Sequence, residues 1–460
     1  MKALLLNPPG RRMYLRDYFC SKVSQADYVH PPIDLVVQSG WLAGRFDVTL
    51  CDAIVNRLTP DATIERIRDA RPDAILSLTG AVSVDEDGPF LARVRSVFDG
   101  PIVAMGDVLL ERPAEWLDRW QAVDAVATDF SGDSIARYLA GERGELSGIA
   151  WRDGTGLVDH TFTAHAAGEY TIPVPRHELF LAERYRYGLS RGRRLASVLT
   201  DYGCPFRCSF CVMPGLGWRS RSVANVLDEL DELQRLGARE LFFLDQTFGL
   251  PRRRAMDLLD AMARREYAFG WVAFVRADAS DDDLLAAMRR AGCHTVIFGV
   301  ESGDDAALAE MDKDLSTDEL REAFPRARRA GLRAAATILL GLPEDTAPRF
   351  DRTMRLVRDL DPDFLSVNVA VPRNGTPLRA AALAEGLASA DARMDQSGSS
   401  ISIKPRALER SDVAAMRDRA VREFYVRPGY LLRRAAGVRS LDELALLASN
   451  AFRLLRPYQS

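Results

Sequence analysis

Three of the six cysteines in this chain of 460 residues lie within eight consecutive positions. They are Cys204, Cys208 and Cys211, with the spacing Cys-x3-Cys-x2-Cys. Three thiolates at this spacing can each bind one iron of a four-iron cluster and leave the fourth iron without a protein ligand. Structural zinc needs a fourth protein ligand, and the nearest candidates, Cys293 and His294, lie far along the chain. The spacing therefore favours an iron–sulfur site.

The composition is that of an ordinary soluble protein. A net charge of −4 argues against a nucleic-acid-binding protein, which would carry a concentrated basic face. No apolar run approaches the roughly 20 residues that span a bilayer, and the apolar start of the chain is too short for a signal peptide. We therefore expect a cytoplasmic protein without a transmembrane segment or a nucleic-acid partner. Clustered cysteines in a reducing compartment indicate metal binding or catalysis before disulfides.

Residues 1–145 alternate short apolar runs with helical patterns, which predicts a doubly wound parallel sheet of the Rossmann or flavodoxin kind. Such a sheet binds its ligand at the carboxyl ends of its strands. The turn after the first strand, 7–10, contains two prolines without an N–H and no Gly-x-Gly-x-x-Gly, so we do not expect a nicotinamide cofactor. The predicted strands are 3–7, 48–52, 73–78, 101–105 and 124–128.

The rest of the chain divides into three regions. Residues 146–190 read as a linker with a hairpin at 151–156. Residues 191–390 again alternate strands and helices, which predicts a partial (β/α)6 barrel, and residues 391–460 become helical after an irregular start. The first domain also contains a long excursion, residues 10–32, between its first strand and first helix; its length indicates a functional segment or a ligand cover. The predicted barrel strands are 195–200, 240–244, 271–275, 295–298, 334–340 and 364–369.

Four motifs follow the cysteine loop in order: FFLDQTF at 242–248, GVESG at 299–303, GLPEDT at 341–346 and NGTPL at 374–378. Together with the three cysteines and the aromatic residue before the last of them, they resemble the radical S-adenosylmethionine (SAM) superfamily. The resemblance implies a 4Fe-4S cluster on the three cysteines, with SAM bound to the open iron. The SAM-binding residues that it implies are Phe210, Asp245, Glu301, Ser302 and Gly341.

LNPP at 6–9, PPIDL at 31–35 and the turn at 106–107 resemble the cobalamin-binding module that precedes the barrel in the class B methyltransferase branch of this superfamily. The usual Asp-x-His-x-x-Gly motif, whose His ligates cobalt, does not occur. His30 is the only His before residue 150, and both a structural role and ligation stay open for it. The implied binding mode is base-off, without a protein imidazole on cobalt. The cobalamin-binding residues that the resemblance implies are Asn7, Ser77, Thr79, Gly106 and Asp107.

The resemblance implies methylation of an unactivated carbon through a 5′-deoxyadenosyl radical and methylcobalamin. The same cofactors also serve cyclisation, ring contraction or other radical oxidation, and a non-catalytic cobalamin and iron–sulfur sensor is an alternative of a different class. The implied partners are a small-molecule substrate and an electron donor such as flavodoxin or ferredoxin. Aromatic residues in the excursion favour a lipid or a secondary metabolite. Cys20, which lies among those aromatics, is a candidate for a role at the domain interface.

Overall fold

The computed structural model describes residues 1–436 except positions 27, 155, 162 and 163. Up to residue 190 the chain alternates strands with helices. The strands are β1 (Lys2–Asn7), β2 (Tyr14–Leu15), β3 (Lys22–Val23), β4 (Asp47–Asp52), β5 (Ala74–Leu78), β6 (Ile102–Met105), β7 (Ala125–Ala127), β8 (Ile149–Asp153), β9 (Gly156–His160) and β10 (Glu169–Tyr170). The helices are α1 (Ile33–Ala43), α2 (Pro60–Ala70), α3 (Val84–Arg95), α4 (Pro113–Arg119), α5 (Ser134–Leu139) and α6 (His177–Leu181).

The sheet of the first domain has the strand order β4-β1-β5-β6-β7-β8-β9. From β4 to β7 the strands are parallel, in the order of a flavodoxin-like doubly wound sheet, as the sequence predicts. The hairpin predicted at 151–156 also forms, as β8 and β9. It pairs antiparallel with β7 at the sheet edge, so this sheet continues to His160 and extends into the predicted linker. The sequence pattern weakens there because β9 is largely exposed.

The second domain begins near residue 195 and contains the barrel. Its strands are β11 (Leu195–Val198), β12 (Asp201–Gly203), β13 (Trp218–Arg221), β14 (Glu240–Phe243), β15 (Gly270–Val275), β16 (Cys293–Glu301), β17 (Arg333–Leu340) and β18 (Phe364–Val369). Its helices are α7 (Val223–Arg235), α8 (Arg252–Arg265), α9 (Asp282–Arg290), α10 (Asp305–Glu310), α11 (Thr317–Arg329), α12 (Ala347–Leu360) and α13 (Pro377–Ala384).

The barrel strands form one parallel sheet in the order β11-β14-β15-β16-β17-β18, which confirms the predicted partial barrel. Each strand is a short apolar run because helices cover the outer face while side chains fill the inside. Strands β11 and β18 are not paired with each other. The gap between these two edge strands is called the seam below.

Two segments from outside the barrel cover the seam. The excursion reaches it from the first domain: the Gln25 amide donates to the Val367 carbonyl at 3.0 Å, and Ser197 Oγ donates to the Pro31 carbonyl at 2.6 Å. The C-terminal helices are α14 (Arg410–Tyr425) and α15 (Pro428–Ala436). They reach the β18 edge, where the Tyr425 hydroxyl donates to the Leu365 carbonyl at 2.7 Å. They confirm the predicted helical region up to Ala436; the remainder of that prediction lies outside the described residues. No helix within the described part of the chain is long and apolar enough to span a membrane.

Candidate active site

A cavity of about 560 Å³ lies at the carboxyl ends of the barrel strands, between the cysteine loop and the excursion from the first domain. It is called the barrel cavity below. Parallel strands carry their functional loops at this end. Its charged lining residues are Asp17, Lys22, Arg276, Glu301, Lys313 and Arg373. Its cysteines are Cys20, Cys204, Cys208 and Cys211, and its uncharged polar residues include Gln246, Thr247 and Asn368. The cysteine loop and the first domain therefore meet at one cavity, as the predicted chemistry requires.

The cysteine loop is held from both sides. Before the first cysteine, the Gly203 N–H donates to the Tyr18 hydroxyl of the excursion at 2.5 Å. Gly203 has φ +78, and an added Cβ would overlap the Gly217 carbonyl, so this position requires glycine. Within the loop, the Ser209 N–H donates to the Met311 carbonyl at 2.9 Å and the Ser209 carbonyl accepts from Leu378 N–H at 3.0 Å. The backbone that carries the three thiols is thus fixed to the barrel.

Burial raises the pKa of Cys204 to about 11, and it also raises the pKa values of Cys208 and Cys211. Bound metal cations reverse this effect, because a coordinating thiol is deprotonated outright. Among the described residues, no three His, Cys, Asp or Glu side chains converge closely enough for a single metal ion. A cubane fits this geometry better, since each thiolate binds a different iron and the thiols stand further apart.

Glu301 and Lys313 form an ion pair in the barrel cavity, and Arg276 is a third charged residue near the cysteines. Lys313 Nζ lies 3.1 Å from Glu301 Oε1, and Thr337 Oγ1 donates to the same oxygen at 3.4 Å. Glu301 has a left-handed backbone, φ 59, at a register shift between β16 and β17. Backbone strain of this kind is characteristic of functional sites. Thr247 adds a buried hydroxyl that has no hydrogen-bond partner among the described residues. The cavity therefore offers charged groups and an unsatisfied hydroxyl to a polar ligand such as SAM.

The structure separates the predicted SAM residues into two groups. Phe210 and Glu301 line the barrel cavity, whereas Asp245, Ser302 and Gly341 are not among the residues lining it. Asp245 accepts from Thr200 N–H and hydroxyl, both at 2.6 Å, and so holds the strand end that leads into the cysteine loop.

Ser302 and Gly341 shape loops. The Ser302 hydroxyl accepts from Asp304 N–H at 3.3 Å at the start of α10. Gly341 has φ +83, and its N–H donates to Asp345 at 2.7 Å. An added Cβ on Gly341 would lie 2.9 Å from Val413 of α14, which indicates close packing there. In the second-strand motif the lining residues are Gln246 and Thr247, one and two positions after Asp245.

Asp245 forms a buried carboxyl pair with Asp201 beneath the cysteine loop. Burial and then the Asp245 charge raise the pKa of Asp201 to about 8. The Arg254 guanidinium, 3.1 Å from Asp201, lowers that pKa again but is shared between the two carboxyl groups. One proton therefore stays on the pair up to neutral pH.

Asp201→Asn should flatten the dependence of stability on pH. A group whose pKa is raised on folding, here from 3.8 to about 8, stabilises the fold fully below pH 4 and loses that contribution as the pH rises through about 8. The amide of Asp201→Asn does not titrate, so its contribution to stability does not change with pH. We expect the thermal midpoint of the wild type to fall further than that of Asp201→Asn between pH 6 and pH 9, measured by scanning calorimetry. Asp359→Asn, on the exposed side of α12, should follow the wild type; equal slopes for all three proteins would contradict the interpretation.

In the first domain, the predicted cobalamin residues are hydrogen-bonded within the chain. The Asn7 side-chain oxygen accepts from Arg16 at 2.8 Å, and Thr79 Oγ1 donates to Asp87 at 2.8 Å. Asp107 accepts from Ser21 N–H at 2.8 Å.

The last two predicted cobalamin residues are also engaged. Ser77 Oγ donates to the carbonyl of the next residue at 3.2 Å, and an added Cβ on Gly106 would overlap the Thr79 carbonyl. The excursion, through Arg16 and Ser21, therefore contacts this surface, and all five predicted residues have contacts within the chain.

An open cleft of about 1350 Å³ lies beside that surface. It is called the N-terminal cleft below. The loops after β1 and β4 and the α3 residues between Asp85 and Arg93 line it, next to the point where the strand order changes direction between β1 and β5. Ligands of doubly wound sheets bind at such a switch point. Four arginines line the cleft, and Gln25 lines both this cleft and the barrel cavity. The arginines are Arg11, Arg12, Arg57 and Arg93.

Sequence reasoning did not identify this cleft. The sequence feature that could have indicated the cleft is the pair Arg11-Arg12, which directly follows the first strand and its Pro-Pro-Gly turn. His30, the other residue considered for cobalt, lies in the barrel cavity with its ring edge-on to Phe242 at 5.2 Å. Its burial among aromatics, which also lowers the pKa of the imidazole, supports the structural role.

The radical SAM superfamily matches residues 198–357 of this chain. That match and the three cysteines at one barrel cavity identify the second domain as a radical SAM domain, and the chain is a radical SAM enzyme.

Curated relatives cover most of this chain. An uncharacterized methyltransferase of Pyrococcus horikoshii is 27% identical over 84% of this chain and 84% of its own length. The anaerobic magnesium-protoporphyrin IX monomethyl ester cyclase of Rubrivivax gelatinosus is 25% identical over 74% of this chain and 64% of its own. The hopanoid C-2 methylase of Rhodopseudomonas palustris is 25% identical over 76% of this chain and 63% of its own length. The chain thus spans somewhat less than two thirds of the last two proteins.

Solved structures share the two-domain fold. OxsB, a cobalamin-dependent SAM radical enzyme determined with aqua-cobalamin and SAM, superimposes with a TM-score of 0.71 at 16% identity, over 98% of this chain and 71% of that one. The methyltransferase TsrM of Kitasatospora setae was determined with cobalamin and a [4Fe-4S] cluster. It gives a TM-score of 0.65 at 18% identity, over 85% of this chain and 80% of that one. The α/β sheet followed by a partial barrel is therefore the fold of cobalamin-dependent radical SAM enzymes.

Proposed function

We propose that this chain is a cobalamin-dependent radical SAM methyltransferase that methylates an unactivated carbon of a small molecule. The observation that carries the proposal is the adjacency of two sites: the barrel cavity with three thiols and the N-terminal cleft share Gln25. A methyl donor in the cleft would stand next to SAM in the cavity. The methyltransferase relatives support the reaction type.

The chain's own residues would bind and orient the cofactors. Cys204, Cys208 and Cys211 would hold the cluster, and Glu301 and Lys313 would orient the polar groups of SAM. When bound, the cluster and SAM supply a radical that abstracts hydrogen, and cobalamin supplies the methyl group. The excursion would close the seam and exclude water. Arg373, which follows β18, holds it there: its guanidinium donates to the Ser21 carbonyl at 3.4 Å and lies 3.3 Å from Asp107, the carboxylate that accepts from Ser21 N–H.

The N-terminal cleft is the proposed cobalamin site. Its volume exceeds the usual 300–1,000 Å³ or so of small-ligand pockets, as a large cofactor requires. The cleft arginines would pair with the phosphodiester of the cobalamin nucleotide. In this arrangement the five residues first predicted for cobalamin would not contact it directly. They would belong to the surface that holds the excursion, and the excursion would line the cleft.

Reversing two cleft charges should weaken cobalamin binding. In Arg11→Glu/Arg12→Glu, each carboxylate would repel the phosphodiester, and we expect the dissociation constant for hydroxocobalamin to rise by about tenfold or more. The measurement is the bound fraction after anaerobic gel filtration, read from the cobalamin absorbance. Arg66→Glu is the matched control, because Arg66 is exposed on α2 but does not line the cleft. Equal binding by the two variants would place cobalamin elsewhere.

The test of the reaction uses cluster-reconstituted, cobalamin-loaded enzyme under anaerobic reduction, with SAM labelled in its methyl group and an extract of cells that lack the gene. We expect release of 5′-deoxyadenosine and label in a metabolite of the extract. Absence of 5′-deoxyadenosine would overturn the proposal.

A second reaction, cyclisation with the same cofactors, is favoured by the similarity to the protoporphyrin ester cyclase. It predicts 5′-deoxyadenosine without label in the product. The same experiment therefore separates the two reactions.

A further inference from the structure

The barrel cavity has a second half that the cofactor residues do not explain. It extends from the cysteines along the inside of the barrel toward the seam, where the first half of β18 and the helices α14 and α15 line it. The inner layer there is aromatic: the Tyr187 ring stacks on Phe242 at 4.3 Å, and Phe242 lies 5.7 Å from Phe274. Phe364 and Tyr28 continue this layer to the seam.

Charged side chains are distributed unevenly around the barrel cavity. Arg276, Glu301 and Lys313 lie at the strand ends near the cysteines, where SAM is placed by the proposed function. The other charged lining residues, Asp17, Lys22 and Arg373, lie around Cys20. In the seam half, the described lining residues from β18 and from the α14–α15 region carry no charged side chain. They are Phe364, Leu365, Ser366, Tyr425, Val426, Tyr430 and Leu431. A charged ligand group in that half would lose its hydration without compensation. An uncharged apolar ligand has no such cost.

Two lining residues of the seam half, at α14 and α15, are exposed to solvent. Tyr425 fixes the end of α14 to the edge of β18, since its hydroxyl donates to the Leu365 carbonyl at 2.7 Å. The two following apolar lining residues remain half exposed, Val426 by 50% and Leu431 by 48%. Exposed apolar side chains that continue a cavity lining are typical of a ligand opening.

The volume of the barrel cavity constrains the ligand further. At about 560 Å³ the cavity is a single drug-sized pocket, and SAM takes a large share of it. Only one end of a second molecule has room inside. The remainder of a larger substrate must pass through the seam and over Val426 and Leu431.

We infer that the substrate is an uncharged, largely hydrocarbon molecule, such as a chain or fused-ring lipid, that enters end-on through the seam past Val426 and Leu431. This inference rests on the proposed function for the position of SAM. The reacting carbon lies at the inserted end, against the aromatic layer and next to the SAM site. The exposed part of the substrate contributes little specificity, so the enzyme selects by the inserted end.

The test is binding of Nile red, a neutral apolar dye, to cluster-reconstituted chain with SAM under anaerobic conditions, followed by fluorescence. We expect saturable binding, displacement by 1-hexadecanol and no displacement by L-lysine. A carboxylate at the opening should repel the dye, so Leu431→Glu should raise its dissociation constant about tenfold. Val426→Glu, on the other half-exposed lining residue, should do the same and covers the case in which one variant folds poorly.

Two controls separate the opening from general surface effects. Leu432 is 72% exposed and does not line the cavity, and Leu157 is 42% exposed on β9. Leu432→Glu and Leu157→Glu should bind the dye as the wild type does. Unchanged binding in both Leu431→Glu and Val426→Glu, equal weakening in Leu432→Glu, or displacement by L-lysine would each overturn the inference. Dye binding needs no methyl transfer, so failure of the proposed reaction and failure of this inference give different results.

Discussion

Replacing Cys208 by alanine should abolish both the cluster and SAM cleavage. Each cysteine supplies one ligand to a different iron, so two thiolates leave half of the cube without protein ligands. We expect iron to fall from about four per chain to below about one after reconstitution, and release of 5′-deoxyadenosine to fall to background.

Two further cysteine variants make this experiment specific. Cys51→Ala removes a buried thiol from β4 of the first domain and should leave the iron content unchanged. Cys20→Ala is the sharper comparison, because Cys20 lines the barrel cavity together with the three ligands. Full iron content in Cys20→Ala would show that three protein ligands suffice and that one iron is open to SAM. Loss of the cluster there, or its retention in Cys208→Ala, would contradict the three-cysteine site.

The cysteine site could be predicted because its information is local. Three ligands within eight residues specify a cluster loop whatever the rest of the chain does, and the structure places all three at one cavity. The sheet and barrel could also be predicted, since buried parallel strands appear as short apolar runs bounded by turns. Predicted strand 73–78, for example, is observed as Ala74–Leu78.

The residues that face the cavities could be predicted less well. At the end of β14 the prediction selected Asp245, although Gln246 and Thr247 line the cavity. The side chains of successive residues point in different directions at a strand end, so a shift of one or two positions moves a side chain from the cavity to the network that supports it. In the first domain the obstacle was distance along the chain. No local pattern shows that Arg16 reaches Asp87, 71 positions away, and so fills the surface predicted for cobalamin.

That Arg16–Asp87 contact leads to the largest expected effect on stability. The guanidinium lies 2.6 Å from the carboxylate, and both side chains are fully buried. Arg16 also donates to Asn7 at 2.8 Å and to Ser83 at 2.9 Å, so it connects the excursion to the end of β1 and to the start of α3. Removing one partner of such a pair leaves an uncompensated buried charge, which typically costs about 3–5 kcal/mol.

We therefore expect Arg16→Ala to lower the free energy of unfolding by about 3–5 kcal/mol, measured by urea denaturation of the full chain. Arg93→Ala is the matched control, because its pair with Asp61 is exposed and should contribute at most about 1 kcal/mol. Arg16→Met/Asp87→Asn removes both buried charges and keeps a polar side chain for Thr79 and Ser83. It should be more stable than Arg16→Ala alone.

Cobalamin binding connects this stability experiment to function. Residues 9–13 and Gln25, which belong to the strand end and excursion that Arg16 anchors, line the N-terminal cleft. Arg16→Ala should therefore weaken hydroxocobalamin binding as well, whereas Arg16→Met/Asp87→Asn should recover part of it because the neutral pair lets the excursion dock again. If Arg16→Ala lost stability but bound cobalamin as the wild type does, the excursion would not form the cleft, and the cobalamin site would have to be built from the loop after β4 and from α3 alone.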